Sequence, residues 1–441
     1  MAVPIVARGG FIVDNGTELP LDPFGRVRVA QPNTMYQLMS NTFLGSVNTK
    51  HVHEVCEDVV GAGATSTASE SDSTVVMSVS SADSHVIRQS RQYIPYQPGK
   101  GRLIFMSGML RTGESSSSTG VTSRIGIFDD FNPTEARLGQ GHFFELSGTV
   151  LSVVERTASV DVSGNVIETR IPRSAWNGDR LDGTGPSKFT INLTRMQLYW
   201  IDMEWLGVGF VRFGVVHRGN LVICHTLFHS NELTGTYTRT PKLPVRYEIA
   251  TDSSFVLGGS ASMKMACATV ISEGGYVPRG IPLDLPVDVF ASLTTSNITP
   301  VLAISLRPES YAVRATLIPK SITVACVDNQ PAWYQMILAF NLTTAPAIAW
   351  TNVNSALSLA RYSTAPGALP ATPNQYSFNG GISVARDSTK LEFTAEQGLD
   401  GIPFLSGSFK GVPDILYIVA KRLKNSTTEI HVSVAWEEIQ T

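Results

Sequence analysis

The stretch EIHVSVAW, residues 429–436, puts Ile430, Val432, Val434 and Trp436 on one side of an extended chain. Glu429, His431 and Ser433 fall on the other side. Such a two-residue period is the signature of a half-buried strand, because successive side chains point to opposite faces. It recurs along the chain. STVVMSVS aligns Val75, Met77 and Val79, and GFVRFGVVH aligns Val211, Phe213 and Val215 against Arg212 and Gly214. Helical periods are scarce; NPTEARLG, 132–139, reads as a turn or two at most. The 37 Gly and 24 Pro fall between the strand runs, where turns require them. The pattern predicts an all-β protein of two packed layers, with jelly-roll or concanavalin-like sandwiches fitting the segment lengths better than small immunoglobulin-type ones.

Three regions follow. Residues 1–74 read as an N-terminal extended arm with one strand-like piece, FGRVRVAQP, ending in the low-complexity linker GAGATSTASESDST. Residues 75–275 carry the densest run of strands and predict one β-sandwich domain. SEGGYVPRGIPLDLP, 272–286, reads as a linker, and residues 276–441 as a second β-sandwich domain.

Of the 441 residues only 16% are charged, and the net charge is −3. Such a balance argues against an electrostatic nucleic-acid binder. No apolar run is long enough to span a membrane, and the N-terminus carries no signal-peptide pattern. The four cysteines, Cys56, Cys224, Cys267 and Cys326, are far apart, which predicts buried free thiols in a reducing compartment rather than disulfides or a zinc site.

Several groups of residues carry potential chemistry. SAWNGDRLDGTGPS, 174–187, holds Trp176, Asn177, Asp179 and Asp182 among turn formers. One reading is an ordered loop with Asx turns. The other is a glycan site, with Trp176 stacking on a sugar ring and Asn177, Asp179 and Asp182 binding hydroxyls. Two carboxylates at this spacing complete no calcium loop, so no metal is expected. In WIDMEWLGVGFVRFGVVHRGN, Asp202 and Glu204 have a spacing compatible with a glycosidase pair. The competing reading has Trp205, Leu206 and Val208 building core and Arg212 pairing with an acid. His217, His225 and His229 are spread too far along a strand to chelate one ion, and His51 and His53 in the arm supply too few ligands for zinc. No nucleophile elbow, phosphate loop or zinc-protease motif occurs, and no cofactor is expected.

The strings RQYIPYQPGKGRLIFMSGML, RIGIFDD, GHFFELSGTVLSVVERT, WNGDRLDGTGPS, WIDMEWLGVGFVRFGVV, LPVRYEI and ISEGGY occur in that order. Together they resemble a family of virion structural proteins, associated mainly with tailed bacteriophages and also with some large DNA viruses. The opening LDPFGRVRVAQPNT is similar to that family's start, and the resemblance continues more loosely through PVLAISLRP, GVPDILYIVA and VSVAWEE. It implies a non-enzymatic virion component: a tail or neck appendage, a fibre subunit, or a minor capsid or vertex protein. It further implies assembly in a host cytoplasm, attachment to other virion proteins through the N-terminal arm, and a homo-oligomer, a trimer in a fibre or a pentamer at a vertex. The central block is also similar in pattern to concanavalin-like sandwiches, which keeps lectin-like binding of a host surface glycan as the alternative function.

Overall fold

The computed structural model describes the chain apart from residues 1–9, 13–17, 21–29, 40–54, 70, 92, 113–118, 130–138, 161–165, 256–259, 274–279, 309–314, 341, 343, 371–374, 393–403, 408–411 and 441. His51, His53 and nearly all of NPTEARLG lie outside the described residues.

The protein is all-β: two antiparallel sandwiches follow one another in the chain. In the first, a seven-stranded sheet has the spatial order Val166–Pro172, Val150–Val160, Gly141–Ser147, Val121–Phe128, Val245–Thr251, His85–Ser90 and Val55–Val60. It faces an eight-stranded sheet ordered Asn220–Leu227, Val211–His217, Gln197–Met203, Arg102–Met109, Ala261–Glu273, Thr74–Val79 and Thr65–Ser69. The eighth strand, Ala30–Met39, pairs with the C-terminal half of Ala261–Glu273. The alternation decides which residues meet between the layers. Ile125, Phe144, Val153, Tyr247 and Ile249 come from one sheet and Met106, Tyr199, Ile201, Phe213 and Val270 from the other, all in one buried cluster.

The second sandwich packs two six-stranded sheets. One contains Thr316–Cys326 and Thr428–Ile439, the other Thr299–Leu306, Ile415–Arg422 and Ala332–Ala339. The quoted strand behaves as its period demands: Ile430, Val432, Val434 and Trp436 are buried in the second core.

The structure redraws the boundaries read from the sequence. GAGATSTASESDST is no linker: Thr65–Ser69 pairs with Thr74–Val79 and closes one edge of the eight-stranded sheet. An edge strand needs no apolar inner face, so Ser and Thr suffice there. The first sandwich therefore begins well before residue 75, since Val55–Val60 and Ala30–Met39 also belong to its sheets. Likewise Ile281–Asp284, within the second expected linker, pairs with Thr428–Ile439. Cys56, Cys224 and Cys326 are buried free thiols as expected, but Cys267 is exposed.

The sandwiches are joined by buried charge. The Arg91 guanidinium, beyond strand His85–Ser90, donates to the Phe404 carbonyl at 2.9 Å and lies 3.6 Å from Asp414. It stacks over the rings of Phe404 and Phe340, at 4.5 and 5.2 Å. Asp414 also accepts from the Ser406 N–H and hydroxyl. Lys242 Nζ donates to the Gln440 carbonyl at 2.6 Å, and burial pushes its pKa down to about 8.

Candidate functional site

The loop 174–187 closes the other edge of the eight-stranded sheet. Gly178 N–H donates to the Cys224 carbonyl and Asp179 N–H to the Ile223 carbonyl, at 3.0 and 2.9 Å. Asn177 makes a matched pair with Thr226: its Nδ2 donates to the Thr226 carbonyl at 2.8 Å and its Oδ1 accepts from the Thr226 N–H at 2.9 Å. The loop thus satisfies backbone groups that an edge strand would otherwise present to another chain. Its glycines are set by space: a Cβ on Gly178 would sit 2.5 Å from the Ile223 carbonyl oxygen, and one on Gly185 would run into the Asp179 carboxylate.

The four glycan candidates divide accordingly. Trp176 is 3% exposed, its Nε1–H donates to the Ile171 carbonyl at 3.0 Å, and its ring meets Phe144 edge-on. It offers no open face on which a sugar could stack. Asp179 is buried and accepts from the Leu181 and Ser187 N–H groups at 2.8 and 2.7 Å. Burial opposes its charge, but those donors prevail and hold it below the usual carboxylate range. Asn177 and Asp182 are at the surface, Asn177 engaged with Thr226 and Asp182 accepting from the Thr184 N–H and hydroxyl. The sequence brought these residues into one loop, and the fold turns their polar groups mostly to the backbone.

Asp202 and Glu204 do not share a strand face, because the strand ends at Met203. Asp202 sits on the outer face of the eight-stranded sheet, directly opposite Arg212, whose Nε donates to it at 2.9 Å. The expected acid for Arg212 is thus Asp202. Beside it, Trp200 covers Gly214, where a Cβ would fall 2.2 Å from the indole. Trp205 packs against the core, but Leu206 and Val208 are exposed, contrary to the expectation that they build it. They ride on a loop that leaves the sheet, where alternation no longer applies.

A second group was missed in the sequence. His142 and Glu155 lie directly opposite one another on the inner face of the seven-stranded sheet. The period that buries Phe144 and Leu146 also turns His142 inward, and this break in an apolar face was the available signal. Glu155 Oε2 lies 3.6 Å from His142 Nδ1 and 2.8 Å from His229 Nε2. His229 Nδ1 meets the Gly209 carbonyl at 2.6 Å, and its ring stacks on Tyr237 with centroids 4.0 Å apart. A carbonyl only accepts, so Nδ1 of His229 carries a proton, and toward an ionised Glu155 its Nε2 donates as well. Burial opposes that charge, but Glu155 and the Gly209 carbonyl raise the His229 pKa. His142 is fully buried, and neither nitrogen has a hydrogen-bond partner among the described residues. Burial, reinforced by the charges of His229 and Arg102 against the partial help of Glu155, pushes it down to about 4. His225 differs again: its Nδ1 accepts from the Asn177 N–H, and burial lowers its pKa. Among the described residues no group of His, Cys, Asp and Glu has the arrangement to hold a metal.

The outer face of the seven-stranded sheet carries a charge ladder. Glu145, Arg124 and Glu248 stand directly opposite one another on three strands. Arg124 Nε meets Glu145 at 2.9 Å and its Nη1 meets Glu248; Arg170 meets Glu145 from the other side at 2.7 Å. Arg156 pairs with Glu168 at 2.7 Å and lies over the rings of Phe128 and Phe143. Each carboxylate is neutralised by neighbouring guanidinium groups, an arrangement suited to holding strands in register rather than to proton transfer.

An all-β double sandwich with ion-paired acids is thus the class defined by fold and site. No family model matches the sequence, and no curated protein matches it. Among solved structures, the chain is similar to a Bacillus licheniformis β-glucanase at 12% identity and TM-score 0.32, covering 56% of this chain and 100% of that one. It is similar to lectin I-B4 from Griffonia simplicifolia, metal-free form, at 10% identity and TM-score 0.31, covering 54% and 99%. A legume lectin-like domain from Entamoeba histolytica matches at 8% identity and TM-score 0.29, covering 53% and 98%. Likenesses of this size carry no functional assignment.

Proposed function

We propose that this chain is a non-enzymatic structural subunit of a virus particle, a tail or neck appendage or fibre subunit, that assembles with copies of itself. The observation that carries the reading is an apolar tip on the first sandwich. Leu206, Val208, Phe228 and Leu233 expose their side chains from two loops tied together by the Gly207 and Gly209 carbonyls, which accept from the Tyr237 N–H and from His229. Clustered apolar groups at a surface mark contact with another molecule. The low charge of the chain and the ordered strings quoted above support the same reading.

Light scattering of the purified chain tests it. The wild type is expected to form a defined oligomer, and Val208→Ser with Phe228→Ser to shift it toward monomer. A wild type that stays monomeric at tens of micromolar overturns the reading, and labelling of intact particles with an antibody to the chain places the subunit.

A second reading, lectin-like glycan recognition, rests on a different surface. Phe290 is 63% exposed beside His431, which lies between Asp288 and Glu429 at 3.1 and 3.3 Å. An open ring flanked by hydrogen-bonding groups is the chemistry that grips a sugar. A glycan array probed with wild type and Phe290→Ala decides it: binding lost in the variant supports the reading, and no binding by the wild type removes it.

A further inference from the structure

We propose that His142, Glu155 and His229 form an acid-sensitive latch that holds the loops 204–210 and 228–238 together at one end of the first sandwich. The latch is a property of the fold and stands whether or not the chain is a virion subunit.

The geometry defines one closed charge state. Glu155 reaches the cluster from strand Val150–Val160, His142 from the neighbouring strand Gly141–Ser147, and His229 from the chain beyond Asn220–Leu227. His229 bridges them to the opposite loop by donating to Gly209 at 2.6 Å and to Glu155 at 2.8 Å. One carboxylate thus serves one imidazolium and also faces a neutral imidazole. Among the described residues, the other charged and titratable groups around the cluster are Arg102, Glu204, Tyr96 and Tyr237. Arg102 is a fixed cation, since its guanidinium donates to the carbonyls of Ile94 and Pro241.

Acidification changes this balance in one direction. A proton added to His142 places a second imidazolium beside His229, with Arg102 near and Glu155 shared between the two rings. The second charge weakens the grip of His229 on Gly209, in a site too buried for water to screen the repulsion. The Tyr237 ring stacked on His229 moves with it, and so do the segments carrying Leu206, Val208, Phe228 and Leu233. Two further ties among the described residues, from Tyr237 N–H to Gly207 and from Trp205 Nε1 to Thr238 Oγ1 at 2.9 Å, are ordinary neutral hydrogen bonds. The latch therefore opens the apolar tip locally while the strands beneath stay paired.

Hydrogen–deuterium exchange of the full chain at pH 7 and pH 4, corrected for intrinsic chemical exchange, tests the proposal. Peptides covering 204–210 and 228–238 are expected to exchange at least about tenfold faster at pH 4, while those covering His85–Ser90 and Val121–Phe128 keep their protection. Glu155→Gln is expected to give the open pattern already at pH 7, and His142→Phe to reduce the acid response. Wild-type loops that exchange equally at both pH values overturn the proposal without any variant. So does acceleration spread evenly over all strands, or a folded His142→Phe protein that responds to acid as the wild type does.

Discussion

Replacing Trp176 with alanine separates the two readings of the loop that carries it. The side chain is 3% exposed, packs edge-on against Phe144 and donates to the Ile171 carbonyl. Truncation to Cβ removes about 150 Å² of buried apolar surface, which at ~25 cal/mol/Å² amounts to about 4 kcal/mol. The Ile171 carbonyl loses its indole donor, adding about 1 kcal/mol. The expected loss is therefore about 5 kcal/mol, at the upper end of the range for large-to-small core substitutions. Trp176→Phe keeps a ring against Phe144 but loses the donor and some volume, and is expected to cost about 2 kcal/mol. Urea unfolding followed by far-ultraviolet circular dichroism measures both. With an m-value of about 2 kcal/mol/M, the alanine variant shifts the first-sandwich midpoint down by about 2.5 M. A Trp176→Ala protein within about 1 kcal/mol of wild type at unchanged m refutes the reasoning, because a surface substitution costs no more. The indole would then stand outside the core, available as a sugar platform.

Other expectations follow from the same geometry. Arg124→Ala leaves Glu145 and Glu248 without their shared partner and is expected to cost about 3–5 kcal/mol in denaturant unfolding, whereas Arg170→Ala, at the half-exposed end of the ladder, costs about 1 kcal/mol or less. Gly214→Val drives a side chain into Trp200 and the Val222 carbonyl and is expected to give insoluble protein or a loss above about 3 kcal/mol. Arg91→Ala breaks the buried joint between the sandwiches; calorimetry is expected to resolve two transitions where the wild type gives one, and a single unshifted transition would show that the joint does not couple them. His142 makes stability depend on pH with a definite sign. Its folded value of about 4 lies below the ordinary 6.5, so the unfolded chain takes up the proton first as pH falls. Stability is full above 6.5 and declines toward 4 by about 3 kcal/mol, at ~1.36 kcal/mol per unit. His229, raised instead, contributes stability that is present below 6.5 and lost as pH rises through its folded value, so its window lies on the other side. The difference in unfolding free energy between His142→Phe and wild type, measured from pH 7 to pH 4, checks the first window.

The two-residue period determined the fold class. Where Val, Ile, Phe and Trp alternated with small or polar residues in Val211–Phe213–Val215 and Ile430–Val432–Val434–Trp436, the structure buries that face. The reason is local: on a strand, side-chain direction follows from sequence parity alone. The same parity turned His142 and Glu155 inward. Tertiary structure decided that they stand opposite each other and that His229, distant in sequence, completes the cluster. The role of the tryptophan-aspartate loop was equally hidden, because its partners are backbone groups of residues 223–226 and the turn chemistry of Asn, Asp and Gly suits a binding loop and an edge cap alike. Even Thr65–Ser69, within the polar stretch 61–74, became a paired strand only because a neighbour offered it an edge. Sequence fixes which way a side chain points within its own strand. Which strands become neighbours, and so which charges meet, depends on how the layers pack.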